Sequence, residues 1–368
     1  MRQILFLIYD LERGGPELRI VDLARELEEK IGIHICSMSN KVALLDDVAR
    51  HGAHVTIKTL RKPWLEWSTV KDIRDYAQIN LIEAINVFDL KGLIATYFPM
   101  IGVCRNKQFP KVVYHCVSEI SNEGFKGRTI VGMINKCDAV ICNSFFSANQ
   151  AEANGVSKRL IRVIHNGVDT TKFSKQRILG DAVRLQYDIP AESFTIGTVA
   201  NFRHQKNYPF LIAAFAQILE EVPVARLLCV GGGPDIDECR TIAAQAGLLD
   251  KVIFTGYVND TLPYLNTMDV FCLCSLSEGL PNAVMQAMAC ELPVVVTRVG
   301  GCPELIKDTH EGFLFEPNEM ETFVRLVSGL AEDPALRTTL GGGARKKIAR
   351  EFSLDKMVSA YKDLFLSI

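Results

Sequence analysis

The sequence predicts an α/β chain built from two doubly wound, Rossmann-like domains facing across a cleft. Three observations lead there. The chain has 368 residues, whereas single domains most often hold about 100–150. Apolar runs of strand length alternate with amphipathic helical stretches in both halves, the rhythm of a parallel sheet covered on both faces. Between the halves, near 165–190, the run HNGVDTTKFSKQ is polar and lacks apolar periodicity. The expected division is 1–165, 166–350 and a closing helical segment 351–368.

The elements follow in order. QILFLIYD (3–10) is a first buried strand, because six apolar residues before Asp10 are too few for a membrane span or a secretory core. PELRIVDLARELEEK (16–30) places Leu18, Val21, Leu23 and Leu27 on one helical face. IGIHICSM (31–38), a helix around 41–51, HVTIK (54–58), KVVYHCV (111–117) and DAVICNS (138–144) continue the pattern. The second half repeats it: strand 194–200, helix 208–222, strand 225–231, helix 237–248, strand 251–256, strand 269–275, helix 282–290, strand 293–297.

Composition excludes several classes. With 48% hydrophobic and 23% charged residues the chain is neither disordered nor collagen-like. A net charge of −2 gives no case for nucleic-acid binding. The 22 basic and 18 acidic side chains of residues 1–165 make the first half mildly basic and leave the second half acidic. Eleven scattered cysteines with no C-x-x-C pair read as reduced, mostly buried thiols of a cytoplasmic protein.

Ligands of doubly wound sheets sit beyond the carboxyl ends of the strands, so the strand-to-helix loops carry the chemistry. Four of them hold glycine: Gly14–Gly15, Gly231–Gly233, Gly279 after Glu278, and Gly300–Gly301. Glycine lets backbone amides approach an anion, and the next helix adds its positive end; tight turns need glycine too. Neither G-x-G-x-x-G nor the P-loop pattern occurs, which disfavours the common NAD and ATP sites.

SEGLPNAVMQAMACELPVVVTRVGGCPELI (277–306), IRVIHNGVDTTKF (161–173), TIGTVANFRHQKNYPFLIAAF (195–215) and GGPE (14–17) together resemble the retaining glycosyltransferases of the GT-B fold, family four. The likeness is dense over about 160–316 and sparse between 40 and 135. It implies that the C-terminal domain binds a nucleotide-diphosphate sugar, with a UDP-sugar favoured, and that the N-terminal domain binds a glycan or lipid-linked acceptor. It also implies transfer with retention, in cell-surface polysaccharide or glycolipid synthesis, without a metal. By this resemblance Lys206 grips the diphosphate, Glu278 meets the donor sugar, the amides of Gly279, Leu280 and, after Pro281, Asn282, together with the loop at Gly256 and Val258, complete the donor site, and Gly14–Gly15 closes over the diphosphate. His115 is the histidine expected at the reacting sugar, in competition with a satisfied core histidine, and Val117 competes with it for the register. Cations and helix ends suit charge that grows on a leaving diphosphate.

Three departures stand out. The family's arginine five residues before Lys206 is Asn201 here, so Arg203 becomes the substitute cation. The second glutamate of its E-x7-E pattern, which holds the ribose, is Gln286. A glutamine amide can accept and donate but lacks charge-assisted strength. A working transferase with a looser nucleotide grip and a non-catalytic nucleotide-sugar-binding paralogue that stabilises a partner both remain open. Glu291 stands where glycine is usual, at a helix C-terminus.

The segment 58–74 contains both tryptophans, Trp64 and Trp67, among Lys58, Arg61, Lys62 and Lys71. Indoles and cations suit a lipid headgroup interface, which would seat the protein at the inner face of the cytoplasmic membrane; an exposed loop beside a buried tryptophan fits equally. If the segment docks on anionic lipid, replacing the four cations by glutamine should abolish sedimentation with anionic liposomes, and unchanged sedimentation removes the assignment.

Overall fold

A computed structural model describes residues 2–12, 15–27, 31–49, 56–59, 67–100, 109–116, 123–307 and 309–368. The chain packs into two compact units, Met1–Gly167 together with Leu354–Ile368, and Val168–Ser353.

In the first unit the strands are β1 (Arg2–Ile8), β2 (Ile31–Ser37), β3 (Thr56–Thr59), β4 (Ala84–Val87), β5 (Lys111–Cys116), β6 (Ala139–Cys142) and β7 (Ile161–Val163). They form one sheet in the order β3-β2-β1-β4-β5-β6-β7, with every described pairing parallel. The helices are α1 (Gly15–Glu26), α2 (Leu45–Ala49), α3 (Trp67–Ile79), α4 (Leu90–Met100), α5 (Gly124–Ile134) and α6 (Phe145–Ala153). A strand covered on both faces needs a continuous apolar run rather than alternation, and Ile4 to Ile8 are all buried in β1.

The second unit opens with α7 (Arg177–Gln186) and continues as β8 (Thr195–Val199), α8 (Tyr208–Glu221), β9 (Arg226–Val230), α9 (Ile236–Gln245), β10 (Val252–Phe254) and α10 (Leu262–Leu265). After these come β11 (Val270–Leu273), α11 (Asn282–Ala289), β12 (Val294–Thr297), α12 (Cys302–Leu305), β13 (Gly312–Phe315), α13 (Met320–Glu332) and α14 (Pro334–Glu351). Its parallel sheet runs β10-β9-β8-β11-β12-β13. The expected fold class is therefore observed in each unit. The last helix, α15 (Leu354–Ser367), belongs to the first unit. Its buried Leu354, Met357, Tyr361, Leu364 and Phe365 repeat at helical spacing and join Phe6 and Phe88 in one core. The Phe6 and Phe88 rings meet edge to face with centroids 5.6 Å apart.

The polar stretch between the halves holds a helix that its sequence does not announce. α7 buries Gly180 and Val183, and a Cβ on Gly180 would lie 2.1 Å from the Asn266 carbonyl oxygen. Leu179 packs inward beside them while Ile178 and Leu185 are exposed, so the apolar residues of this helix are split between its two faces. Of the aromatic-basic segment, Arg61, Lys62 and Trp64 lie outside the described residues, while Lys71 is exposed on α3. Among the described residues no helix is long and apolar enough to cross a membrane. All ten described cysteines are buried, free thiols.

Glu291 caps α11 from the position after Cys290 with φ of +61°. Leu292 N–H donates to the Ala287 carbonyl at 3.1 Å, closing the turn. A left-handed non-glycine residue costs roughly 1–2 kcal/mol. Glu291→Gly should therefore raise the unfolding free energy by about 1 kcal/mol, read in urea as a higher midpoint at unchanged slope.

Candidate donor site

The order of the second sheet reverses at β8 and β11: from β8 the chain proceeds to β9 and β10, then returns to pair β11 on the other side. Loops leaving neighbouring strands in opposite directions open a crevice at their carboxyl ends. The loop after β8 carries Asn201, Arg203 and Lys206; the loop after β11 carries Ser275 and Glu278.

Across this crevice Lys206 Nζ donates to Glu278 Oε1 at 2.5 Å. Ser275 Oγ donates to the same oxygen at 2.6 Å. Oε2 of Glu278 has no hydrogen-bond partner among the described residues. The Glu278 side chain keeps 9% of its surface exposed and that of Lys206 21%, so the ion pair is largely desolvated yet reachable. Leu276 N–H donates to the Gln205 carbonyl at 2.8 Å, tying the two loops together beside the pair.

Backbone packing holds the surrounding loops. Gly300 has φ of +54°, and a Cβ there would stand 1.7 Å from the Glu278 carbonyl oxygen. Gly301 N–H donates to the Gly279 carbonyl at 2.7 Å. Gly231, with φ of +137°, leaves no room for a Cβ beside the Ala200 carbonyl oxygen, 2.1 Å away. Its N–H donates to the Gly256 carbonyl at 3.1 Å, and Phe202 N–H donates to Gly232 at 2.8 Å. Thus the loops after β8, β9, β10, β11 and β12 form one hydrogen-bonded cluster.

Arg203 is exposed, in extended conformation where the single 3-10 turn His204–Lys206 begins. Pro281 precedes the first turn of α11, with Asn282 opening the helix, so Glu278 lies outside that helix and is no cap. Gln286 Oε1 accepts a long hydrogen bond from Thr261 Oγ1 at 3.4 Å. The side chains of Leu280 and Val258 pack into the core of the unit, which leaves only their backbone for a ligand. Gly15 opens α1 in the first unit; Gly14 lies outside the described residues.

Of the two readings of His115, the histidine at the reacting sugar and a satisfied core histidine, the structure agrees with the second: it is fully buried in the first unit's core. Its ring stacks on Phe88 at 4.1 Å and faces Tyr361 at 5.7 Å. Arg19 Nη1, itself buried, stands 3.4 Å from Nδ1, which makes Nδ1 an acceptor and gives the proton to Nε2; Nε2 then donates to Asn86 Oδ1 at 2.9 Å. Burial, and next the Arg19 charge, hold its pKa well below the usual histidine value. It is a neutral core histidine with its hydrogen bonds made. Val117, the competing register, lies outside the described residues.

Sequence reading missed a second concavity. The first sheet reverses between β1 and β4, and there a cavity of about 420 Å³ is lined by Tyr9, Asp10, Glu17, Phe88, Asp89 and Lys91 among others. Asp89 accepts from Tyr9 N–H at 2.6 Å and Gly92 N–H at 2.8 Å. Burial above all raises the pKa of both Glu17 and Asp89. Among the described residues no group of three or more histidine, cysteine or carboxylate side chains is placed to hold a metal ion.

Two doubly wound units, the second with a lysine–glutamate pair at its sheet reversal among glycine loops, define the GT-B class of glycosyltransferases. Comparison with known proteins gives the family. Glycosyltransferase Family 4 matches residues 13–172 and Glycosyl transferases group 1 matches residues 181–347. The chain belongs to the family-four, group 1 glycosyltransferases. It is 27% identical over 235 residues to N-acetyl-alpha-D-glucosaminyl L-malate synthase of Bacillus anthracis, an alignment covering 64% of this chain and 61% of that protein. It is 29% identical over 239 residues to the lipopolysaccharide core biosynthesis glycosyltransferase LpsE of Rhizobium meliloti, covering 65% and 67%. The chain thus spans about two-thirds or less of the length of these curated relatives. The crystal structure of HepE of Anabaena in complex with UDP and glucose superposes with a TM-score of 0.88 at 22% identity, covering 100% of both chains, a likeness of fold.

A histidine that cannot take a proton when folded but can when unfolded makes acid destabilising: stability is complete above the unfolded pKa near 6.5 and declines as pH falls below it. The loss from His115 should grow steadily as pH falls from 6.5 toward 5. Relative to wild type, His115→Gln should flatten the fall in unfolding free energy between pH 7 and 5, while leaving the pH profile of transfer unmoved.

Proposed function

We propose that this protein moves a hexosyl group from a nucleotide-diphosphate sugar, a UDP-sugar favoured, to a glycan or lipid-linked acceptor with retention of configuration, in cell-surface polysaccharide or glycolipid synthesis. The observation that carries the reading is the Lys206–Glu278 contact at the sheet reversal. As the glycosidic bond of the donor breaks, negative charge grows on the leaving diphosphate. A largely desolvated ammonium set there in advance stabilises that charge far more than it would in water. Arg203, on the same loop, supplies a second cation in place of the arginine absent at Asn201. The amides of Gly279 and Asn282 and the start of α11 present further donors.

Glu278 Oε1 is occupied by Lys206 and Ser275, which leaves Oε2 to accept a hydroxyl of the donor sugar. The carboxylate then orients the sugar, and Lys206 couples that orientation to the phosphates. In the retaining reaction we envisage, the acceptor hydroxyl attacks from the face the diphosphate leaves, and a phosphate oxygen takes its proton. Such a reaction needs positioning and charge stabilisation more than a side-chain base, which agrees with a His115 buried in the core. Asp10 and Glu17 at the first unit's cavity offer carboxylates to acceptor hydroxyls. The likeness to LpsE, named for lipopolysaccharide core biosynthesis, supports a glycan or glycolipid acceptor, and the HepE complex with UDP and glucose supports the UDP-sugar.

Gln286 favours a second reading, a nucleotide-sugar-binding subunit without turnover. Radiolabelled transfer from a panel of nucleotide sugars separates the two. Transfer that falls about 100- to 1000-fold in Lys206→Ala and Glu278→Ala, the range for removing one preorganised donor from an anion-stabilising site, fits the enzyme. Donor binding without transfer across the panel fits the subunit.

A further inference from the structure

The outward face of α7 has no part in the donor site. At 3.6 residues per turn, Ile178, Ala182 and Leu185 fall on one line along the helix, on the side opposite Gly180 and Val183, which are buried against the unit. Ile178 is 84% exposed and Leu185 82%, with Ala182 exposed between them. Single aliphatics on a surface are ordinary. Two large ones flanking an alanine at i, i+4 and i+7 form the kind of seam by which one helix packs on another. A charged line runs beside it: Arg177, Asp181, Arg184 and Asp188 repeat at helical spacing, and their signs alternate. Arg184 is turned inward, donating to the Thr267 carbonyl at 3.1 Å and to Asp269 at 3.5 Å. Arg177, Asp181 and Asp188 are exposed and form no ion pair among the described residues.

A charge order of plus, minus, plus, minus becomes its own complement when the helix is reversed. We infer that α7 is a self-association face, on which a second copy of this chain lays the same helix antiparallel about a two-fold axis. Arg177 of one copy then stands beside Asp188 of the partner subunit, and Ile178 packs on Leu185 of the partner subunit, each contact occurring twice. The two alanines meet at the crossing, where a small side chain lets the helix axes come close. A parallel copy would set like charges side by side. An anionic lipid surface calls for cations around the apolar face, whereas this flank alternates in sign. A contact of under three helical turns per copy lies at the small end of specific interfaces, below roughly 1,200 Å² in total, so the dimer is weak and follows concentration.

The test is sedimentation velocity of the full chain over a concentration series. Wild type should pass reversibly from monomer to dimer. Leu185→Glu, which acts at two symmetry-related places, should raise the dissociation constant by about 30-fold or more, the range for loss of a buried anchor. Arg177→Asp and Asp188→Arg should each weaken the dimer, and the double variant, which exchanges the two charges, should restore it. All three positions are exposed, so the variants should keep the wild-type circular dichroism. A wild type that stays monomeric at every concentration overturns the inference, whether or not it sediments with anionic vesicles. A dimer that survives Leu185→Glu places the contact elsewhere and overturns it. So does a loss in the two single charge variants that the double variant fails to recover.

Discussion

The site depends on backbone approaching backbone more closely than any side chain permits. The Glu278 carbonyl oxygen occupies the place a Cβ would take on residue 300, and the Ala200 carbonyl does the same at residue 231. These contacts draw the loops after β8, β9, β11 and β12 into van der Waals range, and only then can the Lys206 ammonium reach the Glu278 carboxylate. A desolvated ion pair is a poor source of stability, since the cost of removing both charges from water roughly cancels their attraction. Its retention at the sheet reversal, where the packing around it has to be so constrained, points to use rather than to stability. Ser275 follows the same logic, because a carboxylate taken out of water needs more than one donor.

Both units use the same geometry for opposite chemistry. In each, the strand order reverses beside the first strand of the sheet, and a concavity opens at the carboxyl ends. The first unit lines it mainly with carboxylates, Asp10, Glu17 and Asp89 beside Lys91, the second with the cations Lys206 and Arg203 around Glu278. The overall charges run the other way: the mildly basic half holds the carboxylate-lined cavity and the acidic half holds the cations. Net charge acts over long distances and sets solubility and steering. A ligand in a crevice responds to the few groups within hydrogen-bond reach, which is why the arithmetic of composition fails as a guide to either site.

Much of this was legible in the sequence, for reasons that can be named. Strands of a sheet covered on both faces are mainly apolar runs, so β1, β9 and β12 declare themselves, and β2 and β8 do so despite His34 in the one and Thr195 and Thr198 in the other. The loops are marked by glycines, and Glu278 and Lys206 stand in runs that carry the family resemblance. Elsewhere the signal is weak for physical reasons. β4 is four residues long, and its run includes the polar Asn86, which is buried to meet His115; without β4 the cavity in the first unit could not be anticipated. α7 is seated by a glycine. His115 looked catalytic because it ends a central strand, and only the tertiary arrangement of Arg19, Phe88 and Tyr361, far apart in sequence, makes it a core residue.

Gln286 shows how such a departure can be tolerated. A glutamate there would bring a further negative charge toward a ligand whose diphosphate is already anionic, and the family's glutamate offsets that repulsion with charge-assisted bonds to the ribose. The glutamine gives up both effects together. Its Oε1 is turned to Thr261 through a long 3.4 Å contact that a ribose hydroxyl could replace at little cost, and its amide nitrogen is able to donate where a carboxylate cannot. Under the proposed donor-site reading the nucleotide grip shifts toward uncharged contacts, while charge stabilisation stays with Lys206, whose partner Glu278 is unchanged. Loss of function would more readily erode the desolvated pair, whose members are costly to keep buried without a ligand to bind. The pair is intact and the departures at Asn201 and Gln286 both lie outside it, a pattern that, under the proposed donor-site reading, favours a working transferase over a degenerate one.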